Sequence, residues 1–214
     1  MHRHRIIAML AATALGAGLA AAPRTAHAQC ATLKLVDNNP NILSFMGSTS
    51  DLGTHWLVLG APAFGQGGHI NIFERNNTGG WDETAEIASP MAATEDGFAR
   101  AVALFGGYVA VGAPLADIGA DDDTGRVYIY RVTGIGWVLD QILENPSPDD
   151  DDYFGHAVAF TRINDAYILA VGVPGDDITG AANAGRVRMY HRDPVAGWVL
   201  EETLTSTDAD ADLS

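Results

Sequence analysis

The chain has 214 residues and a formal net charge of -15, from 12 Lys and Arg against 27 Asp and Glu. A field of that sign repels phosphate and argues against a nucleic-acid partner. A single Cys excludes an intramolecular disulfide framework and a Cys-rich zinc site, and 47% hydrophobic residues exclude broad disorder.

The first predicted element is an address. Arg3 and Arg5 precede an uncharged Ala- and Leu-rich run, Ile6 to Ala22, and Ala26-His27-Ala28 follows with small residues at the positions a signal peptidase reads. Residues 1–28 are therefore read as a secretory signal peptide. Cleavage near Ala28 would leave an acidic mature chain, secreted, extracellular or periplasmic, with no membrane insertion. Cys30 would be its second residue and has no evident role.

The remainder repeats. Leu57-Val58-Leu59-Gly60-Ala61-Pro62, Val109-Ala110-Val111-Gly112-Ala113-Pro114 and Leu169-Ala170-Val171-Gly172-Val173-Pro174 align. Each is followed by a Gly-led apolar segment, at Gly68-His69-Ile70, Gly125-Arg126-Val127 and Gly185-Arg186-Val187, and then by Gly80-Trp81, Gly136-Trp137 and Gly197-Trp198. Upstream, Phe98-Ala99-Arg100 matches Phe154-Gly155-His156, with a weaker counterpart around Phe45-Met46-Gly47. Each unit reads as four short strands rich in Val, Ile, Tyr and Trp, separated by Gly, Pro, Asp and Asn. In the second unit the strands are expected at Ala99–Phe105, Tyr108–Gly112, Arg126–Val132 and Trp137–Leu143. Gly106-Gly107 is expected to make a tight hairpin turn, which the third unit widens to Arg162–Ala166. Four-stranded units at a period of roughly 50–60 residues predict propeller blades. The expected fold is all-β, with blade 1 at 44–90, blade 2 at 91–147 and blade 3 at 148–206. The Pro would end each second strand, the Gly would allow close backbone approach, and the Phe would anchor neighbouring sheets.

Phe154-Gly155, Val111-Gly112-Ala113-Pro114 and Gly125-Arg126-Val127-Tyr128 resemble the Phe-Gly/Gly-Ala-Pro (FG-GAP) repeat of integrin α-chain propellers and many secreted bacterial proteins. The departures are Ala99 for Gly, Val173 for Ala and a blurred start to the first unit. The resemblance implies a seven-bladed β-propeller in complete members, usually an extracellular binding or adhesion platform. Leu33 to Pro40 resembles Gln141 to Pro146, the end of a fourth strand. Residues 29–43 are therefore expected to be an orphan outer strand of a preceding blade, and 207–214 the start of a truncated further repeat. A partial propeller of three blades is the expectation, with self-association as one way to complete the ring.

Many members of that family carry a calcium loop between the first two strands of a blade, and this chain has none there. Acids cluster instead in the loops between second and third strands, at Asp117, Asp121, Asp122 and Asp123 and at Asp176 and Asp177. These six are candidate calcium ligands, since calcium takes six to eight oxygens. The competing reading is that Asp favours turns and keeps loops solvated. Asp149 to Asp152 and Asp208, Asp210 and Asp212 precede further repeat starts. Of His55, His69, His156 and His191, none neighbours a nucleophile motif and no pair has zinc spacing. Asn76-Asn77-Thr78 matches a glycosylation acceptor but stands where a hairpin turn is expected. The leading expectation is a non-catalytic exported module that binds a protein or carbohydrate through its loops. The rivals are a propeller hydrolase or lyase, and a fragment without autonomous function.

Overall fold

A computed structural model of the chain describes residues 45–62, 67–91, 96–179 and 181–205. The expected signal peptide, orphan strand and further repeat at 207–214 lie outside the described residues. Within them the chain has no helix, and its strands form three four-stranded antiparallel sheets. The first sheet holds β1 (Thr49–Leu52), β2 (Trp56–Ala61), β3 (His69–Arg75) and β4 (Trp81–Ala88). The second holds β5 (Ala101–Phe105), β6 (Tyr108–Ala113), β7 (Arg126–Thr133) and β8 (Gly136–Glu144). The third holds β9 (Ala157–Ile163), β10 (Ala166–Val173), β11 (Arg186–Asp193) and β12 (Gly197–Thr205). In each sheet the strands lie in chain order, the meander of a propeller blade, and the sheets do not close into a barrel.

Turn chemistry sets the hairpins. Gly106 and Gly107, with φ of 56° and 88°, join β5 to β6, and Phe105 faces Tyr108 across the turn. The turn between β9 and β10 is equally tight, in contrast to the wider loop expected at Arg162–Ala166. Asn164 and Asp165 take φ of 47° and 71°, and Ile163 pairs directly with Ala166. Asn and Asp tolerate the left-handed region, so they replace the two glycines without added length. β5 begins at Ala101 rather than Ala99, because Ala99 has a φ of 69° and belongs to the preceding turn. Asn76 closes the turn between β3 and β4, its Oδ1 accepting from the Thr78 and Gly80 amides at 3.1 and 2.7 Å.

Strand alternation produces two cores. In the second sheet Val109, Val111, Tyr128 and Tyr130 face the first sheet, where they meet Val58, Ile70 and Ile72. Their neighbours Ala110, Val127, Ile129 and Leu143 face the third sheet and meet Leu169, Val171 and Tyr190. The middle sheet is therefore apolar on both faces. Phe98 and Phe154 are fully buried, one in each core, and stack edge-on against Tyr128 and Tyr190. Burial of each contributes about 2–3 kcal/mol. The Trp of the fourth strand in the second and third sheets reaches back to the preceding sheet: Trp137 meets Trp56 at 5.3 Å and Trp198 meets Tyr108 at 5.5 Å.

The repeated glycines are seats for a neighbour's backbone. A Cβ on Gly60 would stand 2.6 Å from the carbonyl oxygen of Ala99, and one on Gly68 would stand 2.5 Å from that of Phe98. Gly112 and Gly125 receive the carbonyls of Gly155 and Phe154 in the same way and leave no room for a methyl group. The Phe98-Ala99 and Phe154-Gly155 turns thus dock on the paired glycines of the sheet before them. The turn itself is recognisable by backbone. Tyr153 and Gly155 flank Phe154 with φ of 55° and 89°, and the His156 amide donates to the Tyr153 carbonyl at 3.0 Å. Phe45 and Gly47 flank Met46 with φ of 52° and 87°, and Ser48 donates to Phe45 at 3.0 Å. Met46, not Phe45, therefore occupies the anchor position of the first sheet, and Phe45 is 48% exposed.

Candidate functional site

An even number of antiparallel strands puts two kinds of connection at one end of every sheet. These are the loops between second and third strands and the links from one sheet to the next. The hairpins lie at the other end. Asp117, Asp121, Asp122, Asp123, Asp149 to Asp152, Asp176 and Asp177 all belong to the first end, so these aspartates cluster there.

Two of the candidate ligands organise their own loops. Asp117 Oδ1 accepts from the Asp123 amide at 3.0 Å, and Asp177 Oδ1 accepts from the Asn183 amide at 2.7 Å. Asp117 and Asp177 each stand three residues after the Pro of their unit, and each loop has a short antiparallel bridge, Ile118 with Asp121 and Ile178 with Ala181. The loop between β6 and β7 is also laced to the link between the second and third sheets. The Asp151, Tyr153 and Phe154 amides donate to the carbonyls of Asp122, Asp123 and Thr124 at 2.9 to 3.0 Å, and the Asp122 amide donates to Asp150 Oδ1 at 2.9 Å. These bonds lay Asp121–Asp123 beside Asp149–Asp152. Partial burial, followed by the charges of Asp117, Asp151 and Asp122, raises the Asp123 pKa above the usual carboxylate range.

Asp176 points elsewhere. It is buried, and its two oxygens accept from Arg186 and Arg188, each at 2.7 Å. Arg188 also donates to Asn145 Oδ1 at 3.0 Å and to Thr203 at 3.0 Å. Asn145 in turn donates to Asp152 Oδ2 at 2.7 Å, which accepts the Asp149 amide at 2.8 Å. Asp152, Asp176, Asn145 and Arg188 are all buried. The network ties the exit of β8 to the start of β11 and lines a cavity of about 240 Å³ with Ser147, Asp149 and Asp177. Desolvation raises the Asp152 pKa, against the lowering effect of its hydrogen bonds.

Of the six candidate calcium ligands, Asp117 and Asp177 thus shape their loops and Asp176 is held by two arginines. Among the described residues no three His, Cys, Asp or Glu side chains stand close enough to hold a metal ion. The buried network was not anticipated from sequence. Its signal was Arg188, a charged residue at the inward position that Tyr128 fills in the second sheet, paired with Asp176 where the second sheet has Ala116.

One comparison bears on this geometry. Residues 81–130 match the family model of the FG-GAP repeat. The matched span opens on Trp81 in β4 and closes on Tyr130 in β7. The matched span therefore straddles two sheets, running from an outer strand through the Phe98 turn to the third strand of the next. Its punctuation, Phe98 and Gly112-Ala113-Pro114, includes both partners of the docking contact, the turn that seats on one sheet and the Gly112 that receives the next. No curated protein matches the chain. Among the described residues no helix is long and apolar enough to cross a membrane.

Proposed function

We propose that the chain is an exported, non-catalytic FG-GAP propeller module that binds a protein or carbohydrate ligand through the acidic loop end. The observation that carries this reading is the lacing of the β6–β7 loop to the β8–β9 link. It presents exposed Asp122, Asp150 and Asp151 as one patch on a fixed backbone. A preordered loop surface binds with less loss of conformational entropy than a mobile one. The sign of the patch favours a ligand with cationic groups, such as a Lys- or Arg-rich protein face or an amino sugar. Support for a non-catalytic role comes from the buried carboxylates: both Asp176 oxygens are held by arginines, and Asp152 is held by Asn145 and a backbone amide.

The test is a screen of basic peptides and a glycan array against the wild-type chain and the D122N/D151N variant. Binding that is lost in the variant and weakens with salt supports the reading. Binding unaffected by the variant would overturn the loop-end assignment. Turnover of ester or glycoside substrates that disappears in D152N would overturn the non-catalytic part.

A further inference from the structure

The third sheet repeats the docking face of the other two and leaves it open. Val58, Ile70, Ile72 and Ile87 form that face in the first sheet, and Ala110, Val127, Ile129 and Leu143 form it in the second. The same register positions in the third sheet are Ala170, Val187, Met189 and Leu204. Ala110, Val127 and Ile129 are 0% exposed and Leu143 5%, whereas Leu204 is 45% exposed and Ala170, Val187 and Met189 are only half-buried. The paired glycines are present too. A Cβ on Gly172 would meet nothing nearer than Ala157 Cβ at 3.4 Å, in contrast to Gly112, where the carbonyl of Gly155 fills that space. Gly172, Gly185, Val187 and Leu204 line a groove of about 470 Å³.

The first sheet carries the matching part. Its Met46-Gly47 turn has the backbone of the Phe154-Gly155 turn. Five residues beyond Gly155, Phe160 packs into the core shared with the second sheet, and five beyond Ala99, Leu104 packs into the core shared with the first. Five beyond Gly47 stands Leu52, which is 63% exposed.

We propose that a second copy of this chain docks its first sheet on the open face of the third. Met46 and Leu52 of one copy then take the places of Phe154 and Phe160, and the carbonyls of the Met46-Gly47 turn seat over Gly185 and Gly172. The contact is heterologous, joining two different surfaces, and it closes only if the rotation per copy fits a ring. The described sheets of two copies number six, within the range of four to eight in which propellers typically close. Repetition of the face, the paired glycines and the turn within one chain is what singles out a second copy as the occupant.

Sedimentation equilibrium of the purified chain at tens of micromolar tests this, with the G172A and L52D variants beside it. Gly172 has a non-left-handed backbone and space for a methyl group in the single chain, and Leu52 is already exposed, so both variants keep the fold. The expected result is twice the chain mass for wild type and the single mass for each variant, with unchanged far-UV circular dichroism. A wild-type chain at single mass overturns the proposal. So does an assembly that survives either substitution.

Discussion

The second and third sheets have the same strand order, the same turns and nearly the same punctuation, yet their burial differs. All of Ala101, Val102, Ala103 and Leu104 in β5 are buried, whereas β9 alternates between exposed and half-buried positions over Ala157–Phe160. The difference is one of neighbours, because among the described residues the second sheet lies between two others and the third packs on one. A propeller blade is thus a two-sided element whose alternate residues belong to different cores, and its stability is shared with the blades beside it.

The largest expected effect breaks that comparison at one residue type. Gly112 and Gly172 are equivalent in sequence, but only Gly112 has a carbonyl of the next sheet seated on it. G112A must push the Phe154 turn away from the second sheet, opening the core that Phe154 shares with Val127 and Leu169. The expected loss is about 3 kcal/mol or more in urea denaturation. G172A is expected to change single-chain stability by less than about 1 kcal/mol, in the stabilising direction, since Gly carries more conformational entropy in the unfolded chain. Equal effects at the two sites would refute the docking role of the repeated glycine.

A second contrast concerns the buried charges of the third sheet. The second sheet has Ala116 and Tyr128 where the third has Asp176 and Arg188. R188A removes one partner of a buried pair and leaves Asn145 Oδ1 without its strong donor. Arg186 still pairs with Asp176 Oδ1, but Asp176 Oδ2 and Asn145 Oδ1 both lose a buried charged donor, and a loss of about 3 kcal/mol is expected. The double variant D176A/R188Y restores the arrangement of the second sheet and is expected to recover most of that loss. Thermal unfolding of the two variants beside wild type measures the coupling.

Asp152 gives this network a pH signature. Its folded pKa is raised from 3.8, chiefly by desolvation, so the ionised carboxylate is less favoured in the fold than in the unfolded chain. At neutral pH this lowers stability. The deficit is relieved as pH falls through the raised folded pKa and is gone below 3.8. Wild type is therefore expected to gain stability relative to D152N on acidification across that window. A difference that stays constant with pH in parallel denaturation curves would remove Asp152 from the network's titration.

Most of the architecture was legible in the sequence because propeller blades are written in short-range chemistry. Gly106-Gly107, the three Gly-Trp pairs and Pro62, Pro114 and Pro174 each act within a few residues, so their spacing maps directly onto strand ends. Asn164-Asp165 misled because two residues that tolerate positive φ do the work of two glycines, and the loop looked longer than it is. The site was less legible. The acids of the loop end were visible as a composition, but their division into Asp117, which shapes a loop, and Asp176, which is buried against two arginines, depends on contacts across the fold. Asn145, just past the end of β8, and Arg188 in β11 stand 43 residues apart, beyond the reach of any local pattern.

The smallest expected effect concerns the two Phe-Gly turns. Ala99 holds a φ of 69° at the position where the third sheet has Gly155 at 89°. The left-handed conformation costs an L-residue about 1–2 kcal/mol, and part of that cost is offset by the lower unfolded-state entropy of Ala. A99G is therefore expected to stabilise the chain by about 0.5–1 kcal/mol. The reverse change is not symmetrical. A Cβ on Gly155 would stand 2.7 Å from the Arg126 carbonyl and 2.8 Å from Val127, so G155A combines strain with overpacking and is expected to destabilise by about 2 kcal/mol. The methyl group of Ala99 is buried in the core between the first and second sheets. If A99G proves destabilising, that packing outweighs the strain of its backbone, and the departure from Gly is an adaptation of the first interface rather than a tolerated cost.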